Sequence, residues 1–430
     1  MSNRYLLIVL VLFGCTTSYK INEKEVERIL TVLSSDEMGG RTLNSEGIEK
    51  AATFIANEFE SIGLAEIREA KSYKQHFNIN STSVEVAKIE INGQPIGSKS
   101  YFAKVSGESI SWNKEKMPDI MFVKEEDDFR QTLGAALSSD KDLLIVISDV
   151  HKTMFDRYYA YFSKPSIGFG DVEMEPVSLV FVLSNTDAVN NLEVEAAIHM
   201  KEQELTNVIG VIEGNRLNEM VVYSSHYDHL GIGTPVDGDS IYNGANDDAS
   251  GVTAVIELAR YFKNQPKPER TLVFVAFTAE EVGGFGSQYF SKQLNPNEIV
   301  AMLNIEMIGK ESKVGLNSAW MSGWDKSDLG EILKTNLNKI DFKFFADPYP
   351  KQNLFYRSDN ATLARLGVPA HSISTTQIDI DTDYHQLSDE IETLDITNIT
   401  NTIKAIAVGS QGIVNGAQTP SRIDPNEVKK

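Results

Sequence analysis

The sequence predicts an α/β fold: a mainly parallel open sheet sandwiched by helices, with a β-rich insertion. From residue 206 onward, apolar runs of strand length alternate with segments of helical periodicity. Before that, residues 75–205 consist mainly of short apolar or alternating runs separated by polar clusters. Two amphipathic segments, 23–33 and 46–62, precede both regions. Strand–helix alternation is typical of a parallel sheet with helices on both faces.

The leading segments are predicted as helices because their apolar residues lie three or four positions apart. The first runs from Glu23 to Leu33. The second runs from Glu46 to Ile62 and is followed by Gly63, a residue type that readily ends a helix. The polar stretch between them, Ser34 to Asn44, contains Gly39-Gly40 and is predicted to be a loop.

The middle region is predicted to be an inserted domain covering 81–205, with elaborated loops of a single domain as the alternative. Gly, Asn and acidic clusters separate its apolar runs, and no group of residues in it resembles a functional site. Its predicted strands are Val84–Ile91, Ile120–Val123, Leu143–Ile147 and Ser178–Val182.

The third region provides the alternation on which the fold class depends. Its predicted strands are Val208–Ile212, Val221–Ser224, Leu272–Phe277, Met302–Ile305 and Pro369–Ile373. Its predicted helices are Gly251–Lys263, Gly286–Gln293, Leu329–Asn338, Ala361–Leu366 and Ile396–Asn415.

Composition excludes several classes of protein. Lys and Arg total 40 against 61 Asp and Glu, giving a formal net charge of −21, which repels phosphate backbones and disfavours a nucleic-acid partner. The single cysteine, Cys15, excludes an intrachain disulfide, a thiolate zinc finger and an iron–sulfur cluster. Hydrophobic residues at 41% and charged residues at 23% are typical of a folded globular protein.

The first 19 residues are predicted to be a lipoprotein signal peptide and anchor. Arg4 precedes an apolar run, Tyr5 to Phe13, which is far shorter than the roughly 20 residues that span a bilayer. The run ends in Leu12-Phe13-Gly14-Cys15, which resembles a bacterial lipobox, although Phe13 is bulkier than the usual residue. We therefore expect an exported protein, periplasmic or attached to the outer membrane through Cys15; an ordinary signal peptide is the alternative.

Histidine and acidic residues follow the predicted strands at their carboxyl ends. Because these ends meet at one edge of an open α/β sheet, we expect the side chains to lie together. Each fragment alone is weak, since surface acidic pairs are common and Asn-Asp-Asp-Ala-Ser-Gly is more often a helix N-cap. Five segments lie at this edge: His226-Tyr227-Asp228-His229, Asn243 to Gly251, Thr278-Ala279-Glu280-Glu281, Glu306 and Tyr384-His385.

Carboxylates so close together would repel one another, and bound cations would relieve that repulsion. Imidazole nitrogen with carboxylate oxygen and no thiolate suits zinc, although other divalent metals are compatible. Two histidines and three carboxylates suffice for two ions that share a bridging carboxylate, roughly 3.5–4 Å apart. A water between them becomes a nucleophile, and the pair Glu280-Glu281 divides the remaining work: one residue ligates and the other takes the proton.

Four segments in order, VVYSSHYDHLG, YNGANDDASG, FVAFTAEEVGGFGS and LNIEMIG, resemble the bacterial di-zinc aminopeptidase family. Its relatives include glutamate carboxypeptidases, glutaminyl cyclases and the transferrin receptor. The resemblance implies a zinc-exopeptidase fold of the phosphorylase/hydrolase-like type, with a discontinuous peptidase domain formed by 20–80 and 206–418. It also implies that 81–205 is a protease-associated-like domain, and it leaves 419–430 as a tail.

The resemblance implies two zinc ions per chain and a set of five ligands. His226 and Glu306 would bind the first ion, Glu281 and His385 the second, and Asp247 would bridge both. Glu306 departs from the family pattern, which usually has an aspartate at this position.

The resemblance also assigns roles around the metals. Asp228 would hydrogen-bond the His226 imidazole and fix its tautomer. Glu280 would be the general base that later protonates the leaving amine. Tyr384 would hydrogen-bond the tetrahedral oxyanion, with simple packing as the alternative.

Other residues near these segments receive lesser roles. His229 is predicted to be a hydrogen-bonded loop residue, and Asp248 a helix cap or a residue that contacts a ligand. Arg357-Ser358-Asp359 resembles the family's SDH segment, with Asn360 in place of its histidine, and is predicted to form a wall of the substrate pocket.

Three functions are weighed. The first is a metallo-aminopeptidase that hydrolyses the N-terminal residues of peptides with a di-zinc-bridged hydroxide. The second is carboxypeptidase or glutaminyl-peptide cyclase action on the same scaffold. The third is a binding protein that has lost catalysis, which would show damaged ligands, whereas all five are present. Peptides are thus the expected partners, and the membrane is contacted only through the anchor.

Overall fold

The computed structural model describes residues 19–67, 71–170, 175–338 and 340–429. The predicted signal peptide and Cys15 lie outside the described residues, apart from Tyr19. The chain forms two compact units: one combines the segment up to His76 with Leu205 onward, and the other spans Phe77–Glu204. The bounds of the second unit are close to those of the predicted insertion, 81–205; its relation to protease-associated domains stays a prediction.

The helices have the following bounds in chain order. They are α1 (Glu23–Leu33), α2 (Glu46–Ile62), α3 (Phe129–Leu137), α4 (Lys152–Phe162), α5 (Ser250–Lys263), α6 (Phe285–Gln293), α7 (Leu329–Asn336), α8 (Asn360–Ala364), α9 (Ile396–Gly409) and α10 (Gln411–Val414). Throughout the described ranges, no helix is long and apolar enough to cross a membrane.

The strands are numbered in the same way. They are β1 (Lys74–Ile91), β2 (Gln94–Pro95), β3 (Tyr101–Lys104), β4 (Ser109–Trp112), β5 (Asp119–Val123), β6 (Leu143–Ile147), β7 (Ser166–Gly168), β8 (Leu179–Leu183), β9 (Leu192–Ile212), β10 (Arg216–His226), β11 (Gly231–Val236), β12 (Asp239–Tyr242), β13 (Arg270–Phe277), β14 (Ile299–Ile305), β15 (Ser318–Met321), β16 (Lys343–Ala346) and β17 (Ala370–Ser374).

The sheet of the first unit confirms the predicted fold class. Its strands lie in the order β16-β15-β17-β14-β10-β13-β9. The central strands β17, β14, β10 and β13 pair in parallel, whereas β9 and β15 join them antiparallel. The strands β15 and β16 at one end of this sheet and the hairpin β11–β12 were not predicted.

Helices cover both faces of this sheet, which explains why its central strands are continuously apolar. Along β10, Val221 and Tyr223 face one hydrophobic core, whereas Val222 faces the other. Residues of α1, α2, α5 and α9 belong to the first core, and residues of α6 and α8 to the second. All eight residues of β13 are buried.

The leading helices have the predicted bounds because local signals define both of their ends. The Asn22 side chain accepts a hydrogen bond from the Glu25 amide at the start of α1. Gly63 ends α2 with a left-handed conformation (φ 78°). The predicted helix 396–415 is instead divided into α9 and α10 at Ser410, whose hydroxyl bonds back to the Ile406 carbonyl.

The second unit is less purely β than predicted. A four-stranded sheet, β3-β8-β6-β5, includes the parallel pairs β5–β6 and β6–β8. The helices α3 and α4 follow β5 and β6, and neither helix was predicted from the sequence. Their periodic signal is weak, because the buried residues of α4 comprise Phe155 alone and α3 contains Gly134.

Candidate metal centre

The predicted ligands converge because the neighbouring parallel strands β10, β13 and β14 end at one edge. His226 is the last residue of β10 and pairs with Phe277, the last residue of β13. Glu280 and Glu281 follow in the loop after β13, and Glu306 directly follows β14. The register of the sheet thus brings the carboxyl ends of β10, β13 and β14, and the predicted ligands that they carry, to one place.

One group of side chains, which we call the first half-site, consists of His226, Asp247 and Glu306. The His226 Nε2 atom lies 3.2 Å from Asp247 Oδ1 and 3.4 Å from Glu306 Oε1. One ligand atom from each residue lies within 4.8 Å of the others, so one cation can contact all three.

The second half-site consists of His385, Asp247 and Glu281. The His385 Nε2 atom lies 3.2 Å from Asp247 Oδ2 and 3.2 Å from Glu281 Oε2. Asp247 therefore presents Oδ1 to one histidine and Oδ2 to the other. This is the arrangement that a carboxylate bridging two cations requires.

His229 also lies at the second half-site, a position that was not predicted from the sequence. Its Nδ1 atom is 2.8 Å from Glu281 Oε1 and 4.0 Å from Asp247 Oδ2. Its Nε2 atom is buried without a hydrogen-bond partner in the described residues. His229 is hydrogen-bonded as predicted, but its partner is a predicted metal ligand; the one signal in the sequence was its closeness to His226.

The predicted hydrogen bond between the Asp228 carboxylate and the His226 imidazole is wrong. The His226 Nδ1 atom lies 3.8 Å from Asp228 Oδ1 but 3.1 Å from the Asp228 backbone carbonyl, which holds the ring. The Asp228 carboxylate instead accepts hydrogen bonds from the Glu280 and Glu281 amides, at 3.0 and 3.3 Å. The reason is that the loop after β13 offers two free amides that a buried carboxylate satisfies.

Asp247 lies in the irregular turn Ala245–Ala249, and buried contacts fix this turn. Asp389 accepts hydrogen bonds from the Asn246 and Asp247 amides, at 2.8 and 3.0 Å. The Asp248 Oδ1 atom accepts from the Gly251 amide near the start of α5, as predicted, and also from the Met307 amide. No spacing pattern in the sequence marked Asp389.

Glu306 reaches the first half-site because Ser358 restrains it. The Ser358 hydroxyl donates to Glu306 Oε2 at 2.6 Å, which leaves Oε1 facing His226. Asn304 donates in turn to Ser358 Oγ at 2.8 Å. The additional methylene of Glu306, compared with the usual aspartate, is thus accommodated by the segment predicted to form the pocket wall.

A cavity opens over the two half-sites. Tyr384 stacks on His385 with ring centroids 4.0 Å apart, and Arg357 Nη2 lies 3.5 Å from the Tyr384 hydroxyl. Glu280 lines the same cavity. Its apolar wall consists of Met307, Trp320, Leu354 and Ile378.

The family model of peptidase family M28 matches residues 207–409, the part that contains all five predicted ligands. Residues 207–409 of the chain are thus similar to peptidase family M28. Among curated proteins, a probable zinc metalloprotease of Pyrenophora teres f. teres is 35% identical over 108 residues, covering 24% of this chain and 23% of that protein. Aminopeptidase YwaD of Bacillus subtilis is 29% identical over 160 residues, covering 34% of this chain and 32% of its own length. These matches thus span a third or less of the curated relatives.

Solved structures share the fold over nearly the whole chain. An aminopeptidase from Aneurinibacillus sp. strain AM-1 has a TM-score of 0.56 at 18% identity, covering 96% of this chain and 97% of that chain. BSAP, a zinc aminopeptidase from Bacillus subtilis, has a TM-score of 0.57 at 18% identity, covering 95% and 98%.

The pKa values of the adjacent carboxyl groups of Glu280 and Glu281 are shifted in opposite directions. Burial raises the pKa of Glu280 well above its usual value, and the nearby Glu306, Asp359 and Glu281 add to this effect. Burial alone would also raise the pKa of Glu281, but hydrogen bonds with His229 and His385 lower it. Neighbouring carboxyls with opposed shifts are typical of a division between proton carrier and charged ligand.

The donor set of the two half-sites fits zinc. Imidazole nitrogens and carboxylate oxygens are zinc ligands, and the described residues of both half-sites, together with His229, provide them without sulfur. Burial favours the neutral form of His385, yet its hydrogen bonds with Asp247 and Glu281 raise its pKa to about 10. These carboxylates therefore attract positive charge at the position where a cation would lie.

Proposed function

We propose that this protein is a zinc-dependent aminopeptidase that removes N-terminal residues from peptides, with two zinc ions per chain. The observation that carries the proposal is the position of Asp247, whose two carboxylate oxygens face His226 and His385 separately. One carboxylate shared between two histidine-containing half-sites is the donor geometry of a two-metal hydrolase. The names of YwaD and BSAP support the aminopeptidase assignment.

Zinc, when bound, supplies Lewis-acid polarisation of the scissile carbonyl and activation of water. The side chains of this chain do the rest. Glu280 accepts the proton of the attacking water and donates it to the leaving amine, and burial raises its pKa, which makes it a stronger base than an exposed carboxylate. Tyr384, at the cavity beside His385, donates its hydroxyl proton in a hydrogen bond to the developing oxyanion.

A second candidate function is carboxypeptidase action, and one observation favours it. Arg357 lines the cavity and lies beside the Tyr384 hydroxyl. A guanidinium there can form a bidentate pair with the terminal carboxylate of a peptide.

Four forms of one tripeptide test the proposal: free, N-acetylated, C-amidated, and a version that begins with glutamine. We expect the free and amidated peptides to release their N-terminal residue and the acetylated peptide to resist. A chelator should abolish the activity, and added zinc should restore it. Cleavage of the acetylated but not the amidated peptide would establish a carboxypeptidase, and conversion of the glutamine peptide to a pyroglutamyl product without cleavage would establish a cyclase.

We also propose that the protein is exported and anchored by lipid on Cys15. The apolar run and the Leu12-Phe13-Gly14-Cys15 segment support this proposal. In a bacterial host, labelled fatty acid should enter the wild-type protein but not a Cys15→Ser variant. Equal labelling of both proteins would contradict it.

A further inference from the structure

A buried arginine, Arg41, lies close to the candidate metal centre. It ends the turn Asp36–Arg41, which lies between α1 and α2. It is 1% exposed. Gly39, Gly40 and Arg41 all have positive φ angles, of 53°, 66° and 51°. A Cβ atom on Gly40 would lie 2.5 Å from the Gly231 carbonyl oxygen, so only glycine permits this close packing of the turn.

The Arg41 guanidinium binds backbone carbonyls from three separate segments. Its Nε donates to the Tyr227 carbonyl at 2.8 Å. Its Nη1 donates to the Leu33 and Asn243 carbonyls at 2.7 and 2.5 Å, and its Nη2 donates to the Gly244 carbonyl at 2.9 Å. Four of the five N–H groups of the guanidinium are therefore used.

Two of these segments carry predicted metal ligands. Tyr227 follows His226 directly, and Asn243-Gly244 leads into the turn that holds Asp247. The Arg41 carbonyl also accepts a hydrogen bond from the His229 amide at 3.3 Å. Arg41 therefore connects the backbone next to one ligand of the first half-site with the backbone next to the shared ligand.

The charge of Arg41 is unusual for so deep a position. Among the described residues, no carboxylate lies within ion-pair distance of it, and an unpaired buried charge costs several kcal/mol. Burial lowers the pKa of Arg41, while the surrounding Asp389, Asp247, Asp228 and Asp248 oppose that effect. The guanidinium thus provides fixed positive charge under a group of acidic side chains that would otherwise repel one another.

We propose that Arg41 is a positioning residue that holds the His226 and Asp247 segments in their ligand geometry before metal binds. This inference rests on the proposed zinc site. Its consequence is that zinc affinity, and not only stability, depends on Arg41.

The test compares Arg41→Lys with a matched control, Arg270→Lys. Arg270 is also buried, and it donates to the Ile413 and Gln418 carbonyls at the opposite end of β13. Zinc affinity is measured by titration against a competing chelator, and thermal unfolding is measured on the zinc-free proteins. We expect both variants to unfold at lower temperature, but only Arg41→Lys to bind zinc about 10- to 100-fold more weakly.

Two results would overturn the role of Arg41: unchanged zinc affinity in Arg41→Lys, or equal losses in the two variants. Failure of wild type and Arg270→Lys to bind zinc would instead overturn the proposed function. Should Arg41→Lys not fold, hydrogen exchange on zinc-free wild type decides. We expect the Tyr227, His229 and Ala245 amides to be protected without zinc, and protection that appears only on adding zinc would contradict the proposal.

Discussion

The two half-sites share Asp247 but are built differently. The His226 side chain is 1% exposed and ends a central strand, whereas the His385 side chain is 35% exposed and lies in a loop with a positive φ of 58°. Glu306 in the first half-site is restrained by Ser358. Sheet register therefore positions the histidine of the first half-site, whereas loop contacts position the histidine of the second. Because a strand end is held more rigidly than a loop, we expect the first half-site to bind zinc more tightly.

Loop contacts do support the second half-site. Lys310 binds Asp381 and Asp383 at 2.7 and 2.5 Å, directly before Tyr384-His385. Lys313 binds Asp379 in the same loop at 2.6 Å. These ion pairs restrain the loop that carries His385, which no strand positions.

The largest effect is expected for Glu280, which belongs to neither half-site. Glu280→Gln should keep both zinc ions and lower kcat by about 10²- to 10⁴-fold, because only the proton carrier is removed. Glu281→Gln, the adjacent control, should lose zinc from the second half-site. Elemental analysis and steady-state kinetics measure both quantities, and near wild-type turnover in Glu280→Gln would contradict the assignment.

The two histidines provide the next comparison. His385→Asn should retain about one tightly bound zinc ion per chain, since the first half-site is intact. His226→Asn should lose the tighter ion and retain the weaker one. Isothermal titration of zinc into both variants measures this, and identical isotherms would show that the half-sites do not differ as the structure indicates.

A smaller effect is expected for His229, which binds Glu281. His229→Leu should weaken the second zinc ion about tenfold and leave the first unchanged, because a partner of one ligand is lost. Competition with a chromogenic chelator separates the two steps. If His229→Leu lost the zinc ion of the first half-site instead, the assignment of His229 to the second half-site would be wrong.

The smallest effect is expected for Lys310→Met, which removes the ion pairs of a partly exposed lysine with Asp381 and Asp383. We expect kcat/KM to fall roughly two- to fivefold, since such pairs contribute up to about 1 kcal/mol. Lys334→Met, which removes an exposed pair within α7, is the control and should change nothing. An unchanged kcat/KM in Lys310→Met, as in the control, would show that the loop keeps its geometry without these ion pairs.

The sequence predicts those features that depend on local signals. The ends of α1 and α2 are correct because caps and apolar spacing coincide there. His226, Glu281 and Glu306 converge as expected because they lie at or just after the ends of strands that must align. The contacts of Asp389, Ser358 and Arg41 were not predicted, because each of these residues contacts a segment that is remote in sequence. For example, Asp389 and Asn246 lie 143 positions apart.

The short strands β15 and β16 were missed for a related reason. Each has four residues, and what defines it is pairing with a partner strand remote in sequence. The contact of Asp228 with the loop after β13 likewise depends on three-dimensional placement. A pattern of residue types indicates which side chains can bind a metal or donate a hydrogen bond, but the three-dimensional fold determines which of them lie in contact.

Anomalous scattering at the zinc edge, on crystals of the wild-type protein, would count and locate the ions together. We expect two peaks roughly 3.5–4 Å apart, one beside Asp247 Oδ1 and His226, the other beside Asp247 Oδ2 and His385. A single peak, or peaks remote from Asp247, would contradict a centre built around one shared carboxylate.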